Sequence, residues 1–261
     1  MEPSRVHTAG SGRSAIVVGA GGGLGSPTVA RLVEDGYSVV AMDRCAPEPP
    51  AAAADRVRWV AGDATDDDAV RAAIDAASRT GQLRVLVNVA GGSGRGGPTV
   101  DTDGHPHDLG RYERAIASNV LATFNASRLV ASAMSRAEPE ADGLRGVIVN
   151  TASIAGLEGQ RGQVAYAAAK AAILGMTLPM ARDLAPVGVR VCAVAPGPMG
   201  TPAMLQLRGQ LLEDPAAEVV NPARMGHPEE FADLVAAVVA NPYLNGENIR
   251  LDGALRLGDG R

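Results

Sequence analysis

A single doubly wound α/β sheet, parallel and with helices on both faces, is the fold this sequence predicts. Three observations lead there. Short apolar runs alternate with helical patterns along the whole chain. A glycine-rich turn joins the first apolar run to the first helix. No internal repeat or linker divides the 261 residues.

The elements follow in order. Residues 15–18 are continuously apolar, end at Gly19, and read as a buried strand. Residues 24–35 carry helical spacing. A second strand covers 38–42 and a third 57–61. The helix at 66–79 begins on Asp66, Asp67 and Asp68, whose charge suits the positive end of the helix dipole. Residues 84–88 are a fourth strand. The polar stretch 91–110 is loop, and a long helix covers 109–136. A fifth strand at 146–150 leads to the helix holding Tyr166 and Lys170, which reaches Leu184 and bends near Pro179. The sixth strand is 189–194. Segment 196–226 is rich in Pro and Gly, with a helical patch at 204–212. A helix at 228–240 and a strand at 248–251 complete the pattern. Residues 1–13 have no apolar signal core and read as a flexible lead-in to one domain over 14–261.

Composition excludes several classes of function. Net charge is −5 and aromatics make up only 3% of residues, so there is neither a basic stripe nor a set of rings for nucleic acid. No apolar run reaches membrane-spanning length by inspection. Cys45 and Cys192 lie far apart, form no metal spacing and no disulfide framework, and point to a reducing cytoplasm. Cys192 falls in a strand pattern and belongs to the core. No metal is expected. His105 and His107 belong to a solvated loop, and His227 precedes Pro228 at a helix start.

The chain has one lysine, Lys170, four residues after Tyr166. That spacing puts both on one helix face. An ammonium there can stabilise a phenolate and lower the tyrosine pKa from its ordinary value of about 10. Arginine is a poor substitute, because its permanently charged fork cannot relay a proton. Ser153 precedes Tyr166 just past the end of a strand, where open α/β sheets place ligands.

The stretch from Gly19 through Ala20, Gly21, Gly22, Gly23 and Leu24 to Gly25 has the form of a dinucleotide turn of Rossmann type. Gly19 permits the tight turn, Gly23 lets the backbone approach a pyrophosphate, and Gly25 allows close helix packing. Asp43 ends the second strand twenty residues beyond Gly23. A carboxylate there accepts the ribose hydroxyls of NAD and repels the 2′-phosphate of NADP. Arg44 beside it offers that phosphate a partner. NAD is the expected cofactor.

These residues occur in the order of the short-chain dehydrogenase/reductase family, which the chain resembles over nearly its whole length. The match runs through the glycine turn, Asn88-Val89-Ala90-Gly91, Asn119, Ser153, Tyr166 with Lys170, and Pro196-Gly197. The second half is similar to the type-2 3-hydroxyacyl-CoA dehydrogenase branch, which also oxidises hydroxysteroids. That similarity lies in Asn150-Thr151-Ala152-Ser153, in the stretches 175–179 and 181–186, and in Asn245-Gly246-Glu247 leading to Arg250-Leu251-Asp252-Gly253.

The resemblance implies roles. Tyr166 is the general acid/base, and Lys170 tunes it and holds the nicotinamide ribose. Ser153 binds the reacting oxygen, and Asn119 holds a water that links Lys170 to solvent. Asp63, with Ala64 beside it, contacts the adenine. Asn88, Ala90 and Gly91 support the adenosine, and Gly22 and Leu24 belong to the phosphate turn. Met199 and Thr201, after Pro196 and Gly197, bind the carboxamide. Gln163 lines the substrate pocket. The resemblance also implies a homotetramer, with apolar faces at 115–134 and 164–181 available for pairing.

Departures from the family pattern matter too. Val18 stands in place of a threonine that braces the glycine turn, and Val89 in place of an asparagine or cysteine. Loop 92–108 carries Asp101, Asp103 and Asp108, with Arg95 as its firm cation. Carboxylates beside a CoA phosphate are unfavourable, which counts against a CoA ester. Segment 199–226 is expected to close over the substrate as a lid, apolar at Met204, Leu205, Leu207, Leu211 and Leu212. The expected function is NAD-dependent oxidation of a secondary alcohol, a small-molecule 3-hydroxyacyl-CoA or hydroxysteroid. The alternatives are an NADPH-dependent 3-ketoacyl reductase and a non-catalytic nucleotide sensor or scaffold.

Overall fold

A computed structural model describes residues 12–45, 55–92, 96–208 and 216–258. The expectations for residues 1–11, Arg95, Leu211 and Leu212 fall outside these, as does the side chain of Leu207. The described strands are β1 (Arg13–Val18), β2 (Ser38–Asp43), β3 (Val57–Ala61), β4 (Gln82–Asn88), β5 (Gly146–Thr151), β6 (Val189–Pro196) and β7 (Asn248–Leu251). The helices are α1 (Gly25–Glu34), α2 (Asp67–Ser78), α3 (Leu109–Ile116), α4 (Ala122–Met134), α5 (Val164–Leu184), α6 (Pro202–Arg208) and α7 (Pro228–Ala240).

The strands form one parallel sheet in the order β3-β2-β1-β4-β5-β6-β7. Strand order reverses between β1 and β4, and a doubly wound sheet opens its ligand crevice at the carboxyl ends beside such a reversal. Alternation along the strands builds a core on each face. Ile16 and Val18 point to one core, where Ala73 and Val70 of α2, Val130 and Met134 of α4, and Met180 of α5 pack. Ala15 and Val17 point to the other, against Val29 and Leu32 of α1 and Phe231 and Val235 of α7.

Two local features position the site. The helix expected at 109–136 is interrupted by a π turn at Ala117–Leu121, which joins α3 to α4. Asn119 Nδ2 donates to the Ala115 carbonyl at 2.9 Å, competing for the acceptor one helical turn back and favouring the wider turn. At the far end of β6, the chain passes Pro196 and returns to pair Met199 with Gly226. The Gly200 N–H donates to the Gly226 carbonyl at 2.8 Å, and the Gly226 N–H to the Pro198 carbonyl at 3.0 Å. The two ends of the expected lid are therefore fastened to each other. His227 begins α7, and its N–H donates to the Glu230 carboxylate at 2.7 Å.

One expectation needs correcting. Val164–Val187 is long and apolar enough to cross a membrane by length and composition. The reason lies in its packing. Ala165, Ala169, Ile173 and Met180 are buried in the fold, and the same helix buries Lys170. An apolar helix with neighbours on more than one side loses its polar stripe.

Candidate active site

A cleft of about 440 Å³ opens at the carboxyl ends of β1, β2, β4, β5 and β6. Its floor is the turn between β1 and α1. Gly19 has φ +81°, and a Cβ there would lie 2.5 Å from the Ala90 nitrogen. Alanine at Gly25 would place its Cβ 2.1 Å from the Gly19 carbonyl oxygen, so α1 can start this close only on glycine. A Cβ at Gly23 would meet Thr201 at 2.5 Å, which brings the segment after β6 onto the turn.

Asp43 reaches this turn from the end of β2. Its Oδ2 accepts the Gly21 N–H at 2.9 Å and its Oδ1 the Cys45 N–H at 3.4 Å. Each oxygen keeps a further lone pair for a ribose hydroxyl. Arg44 lines the same rim. Asp63 Oδ1 accepts both the Thr65 N–H at 2.9 Å and its hydroxyl at 2.8 Å, and these bonds hold its carboxyl below the usual range, with the Arg44 charge adding to the effect.

Ser153, Tyr166 and Lys170 share the cleft with that turn. Ser153 follows β5 and caps a single 3-10 turn, Ile154–Gly156, its Oγ accepting the Ala155 N–H at 3.2 Å. Burial pushes the Tyr166 phenol above its ordinary value, and a hydrogen bond with Ser153 pulls it back. Lys170 Nζ lies 5.7 Å from the centre of the Tyr166 ring and donates to the Thr151 carbonyl at 2.9 Å. Burial lowers its pKa to about 8. The expectation that Lys170 depresses the tyrosine is therefore not met in the protein alone. The ammonium lies over the ring, and desolvation dominates both groups.

Asn119 stands behind this pair, fully buried on the π turn. Gly91, at φ +155°, gives it room: a Cβ there would lie 2.3 Å from Asn119 Oδ1 and 3.2 Å from Lys170 Nζ. Asn119 Oδ1 has no donor among the described residues. A buried acceptor beside an ammonium is a place for a bridging water.

Most of the sequence-predicted residues meet in this cleft. Gly19, Gly22, Gly23, Leu24, Asp43, Arg44, Asp63, Ala64, Ala90 and Gly91 line one part, and Pro196, Gly197, Met199, Thr201 and Met204 another. Several do not line it. Gly25 sits behind the turn. Asn88 braces β4 to β5 instead, donating to Asn150 Oδ1 at 2.9 Å and Ser127 Oγ at 3.0 Å. Leu205 is half exposed on α6. Gln163 hydrogen-bonds Gln160 at 3.3 Å and stays outside the cleft wall. Ser118, Ala122, Thr151 and Ala152 line the cleft without having been expected there. The first two arrive through the π turn. Thr151 stands within a quoted motif, but its contribution is a carbonyl, which no side chain announces.

The three aspartates of the acidic loop lie off the cleft wall. Asp108 caps α3, accepting the Gly110 N–H at 2.8 Å, with Arg111 and Arg114 at 3.6 and 3.7 Å. Asp101 accepts the N–H groups of Asp103 and His105 at 2.9 and 2.8 Å. None of the three aspartates lines the cleft.

A nicotinamide dinucleotide fits these residues. Gly19, Gly23 and Gly25 admit no Cβ, Asp43 presents its carboxylate at the rim, and Asn119 Oδ1 and Thr151 Oγ1 are buried with no hydrogen-bond partner among the described residues.

Comparison with known proteins agrees with this geometry. Residues 13–211 match the family model for short chain dehydrogenases. The human protein named 3-hydroxyacyl-CoA dehydrogenase type-2 is 43% identical over 250 residues, covering 94% of this chain and 96% of that one. A crystal structure of 3-hydroxyacyl-CoA dehydrogenase type-2 from Mycobacterium avium is 46% identical with a TM-score of 0.89, covering 95% of this chain and 97% of that one. The structure titled "ElxO with NADP Bound" has a TM-score of 0.81 at 23% identity, covering 94% and 98%, a likeness of fold alone. The chain belongs to the short-chain dehydrogenase family. It is an oxidoreductase that acts on CH–OH groups of small molecules, and the non-catalytic alternative gives way.

Burial of Lys170 generates a test. Its folded pKa, about 8, lies below the ordinary 10.5. Below pH 8 the proton is bound in both states, and the penalty of the buried charge is carried in full. As pH rises from 8 towards 10.5 the folded state sheds the proton first, so this group makes stability rise with pH. Lys170→Met should remove that rise. Urea midpoints at about pH 7 and about pH 10 for both proteins check it. Equal slopes would contradict the buried charge.

Proposed function

We propose that this oxidoreductase passes a hydride from a secondary alcohol to NAD, and that the alcohol is a 3-hydroxyacyl-CoA ester or a hydroxysteroid. The observation that carries the reading is the meeting of Ser153, Tyr166 and Lys170 in the same cleft as a glycine turn flanked by Asp43. When bound, the cofactor supplies the hydride acceptor and, oxidised, a positive charge.

The protein's own residues do the rest. Ser153 Oγ hydrogen-bonds the substrate oxygen and holds it beside Tyr166. The Tyr166 phenol oxygen accepts the hydroxyl proton, which requires its pKa to fall from the raised value that burial imposes. Positive charge added at the cleft lowers it. Lys170, anchored on the Thr151 carbonyl, stabilises the phenolate; to restore it after the step, the ammonium gives its own proton to a water that Asn119 Oδ1 would hold and takes the phenol proton in its place. Gly19 to Gly25, Asp43, Asp63 and the residues after Pro196 position the dinucleotide. Met204 gives the substrate an apolar wall.

Asp43 favours NAD, because a second negative charge at the ribose would face its carboxylate. The neighbouring Arg44 supports the alternative, an NADPH-dependent 3-ketoacyl reductase. The names of the relatives at 43 and 46% identity support the acyl-CoA class. The placement of Asp101, Asp103 and Asp108 off the cleft wall weakens the electrostatic objection to CoA.

The chain is proposed to act as a homotetramer. Phe124 of α4 and Val164 and Leu178 of α5 are large apolar residues left between 43 and 48% exposed, on helices that pairing would cover. Light scattering at micromolar concentration should return four times the subunit mass. A monomer mass would contradict the proposal.

Tyr166→Phe tests the chemistry. It should lower kcat by about 100-fold or more while NADH binding, followed by nucleotide fluorescence, stays close to that of the native protein. Substantial turnover by this variant would remove Tyr166 from the acid/base role.

A further inference from the structure

The turn between Ser153 and Tyr166 is fastened from outside the cleft. Glu158 lies in that turn and takes a two-pronged bond from Arg250 of β7, Nη1 to Oε1 at 2.8 Å and Nη2 to Oε2 at 3.3 Å. The Leu257 N–H donates to the same carboxylate at 3.0 Å. Arg250 also donates from Nε to Asp252 Oδ2 at 2.7 Å and from Nη2 to the Leu255 carbonyl at 2.8 Å. Arg256 adds charge, with Nε 3.6 Å from Glu158 and Nη1 3.3 Å from Asp252. Asp252 backs the cofactor end of the cleft, since a Cβ at Gly197 would lie 3.0 Å from its own Cβ.

Packing follows the same line. Ile154, the residue after Ser153, is buried with Val219 and Leu255 in a small core separate from the two main ones. The C-terminal tail thus covers the back of the Ser153 turn with Leu255 and Leu257, and β7 grips its far end through Arg250.

An isolated surface ion pair contributes little. This one is two-pronged, shared among four charged side chains, and half-buried, with Arg250 and Glu158 at 23 and 27% exposure. It also fastens Glu158, which lies outside any helix or strand, to β7 and the C-terminal tail. Ser153 stands on one 3-10 turn, and no helix or strand covers the residues from Leu157 to Gln163. A reacting group carried on such a turn depends on outside support for its placement.

We propose that Glu158 and Arg250 are positioning residues for the alcohol end of the site, holding the Ser153 turn against the C-terminal tail so that the Ser153 hydroxyl stays in register with Tyr166. The proposal rests on the dehydrogenase reading above. It separates two roles: Glu158 fastens the Ser153 turn that governs the substrate oxygen, while the glycine turn holds the dinucleotide without it.

The test uses Glu158→Ala and Arg250→Lys in the full chain, with two readouts. Amide hydrogen exchange across residues 154–163 reports the turn directly. Steady-state kinetics report kcat and the KM values for the alcohol and for NAD. Glu158→Ala should speed exchange in that stretch and lower kcat by about 10- to 100-fold, with the KM for NAD unchanged. Arg250→Lys keeps the charge but loses the fork, and should fall between Glu158→Ala and the native protein. Native kcat in Glu158→Ala, or a kcat and a KM for NAD that deteriorate together, would overturn the proposal. If Glu158→Ala does not fold, Glu158→Gln, which keeps one acceptor oxygen, serves the same comparison. Should the native protein oxidise no secondary alcohol, the dehydrogenase reading fails by itself. The exchange data then still decide whether Glu158 fastens the turn: faster exchange supports the clamp and unchanged exchange overturns it.

Discussion

A buried ammonium is the constraint around which this site is arranged. Lys170 has almost no contact with solvent, and a charge in that position needs strong acceptors and a route for its proton. The Thr151 carbonyl supplies one acceptor at 2.9 Å, and β5 must end where it does to present it. Gly91 must lack a side chain for Asn119 to come up behind. Asn119 must occupy a π turn whose own amide has taken the Ala115 carbonyl. Three distant segments thus meet around one cation. The same burial raises the Tyr166 phenol. The pair is poised by what enters the cleft and not by its own contacts.

That arrangement gives the protein economy of control. Neither Tyr166 nor Lys170 holds a favourable proton balance alone. The hydrogen bond from Ser153 and positive charge arriving in the cleft both act to lower the tyrosine. In the proposed reaction the position of Ser153 then matters as much as its presence, because it would bind the reacting oxygen while its hydrogen bond lowers Tyr166. Its turn is short and irregular, which places weight on the contacts made behind it by β7 and the C-terminal tail.

Much of the fold was legible in the sequence because its signals are local. Continuous apolar runs mark strands buried on both faces, and β3, β7 and α7 fall where the patterns place them. Strands β1 and β4 extend further than expected, to Arg13 and Gln82, because strand ends that begin with polar residues break the apolar run. The helical spacing of Tyr166 and Lys170 and the glycine turn could be read from spacing alone. What could not be read was set by the tertiary structure. Nothing in the stretch 115–122 announces a π turn. The carbonyl of Thr151 carries no identity in sequence. The aspartates of loop 96–108 look as though they face a ligand until the loop folds back on itself, with Asp101 satisfying its own turn and Asp108 capping α3. Gln163, placed by resemblance, and Leu205, placed by the apolar pattern of the expected lid, sit off the cleft wall. Resemblance fixes position in the chain more firmly than direction of a side chain.

The central claim is that this cleft oxidises a secondary alcohol with NAD, and the most direct measurement is turnover itself. Purified protein would be mixed with NAD, or with NADP in parallel, and a panel of short and long 3-hydroxyacyl-CoA esters, hydroxysteroids and simple secondary alcohols, while absorbance of the reduced nicotinamide is followed. The account predicts reduction of NAD by the CoA esters or the hydroxysteroids, with NADP a poor substitute. Preference for NADP would contradict the role given to Asp43, and no turnover of any alcohol with either cofactor would contradict the account as a whole.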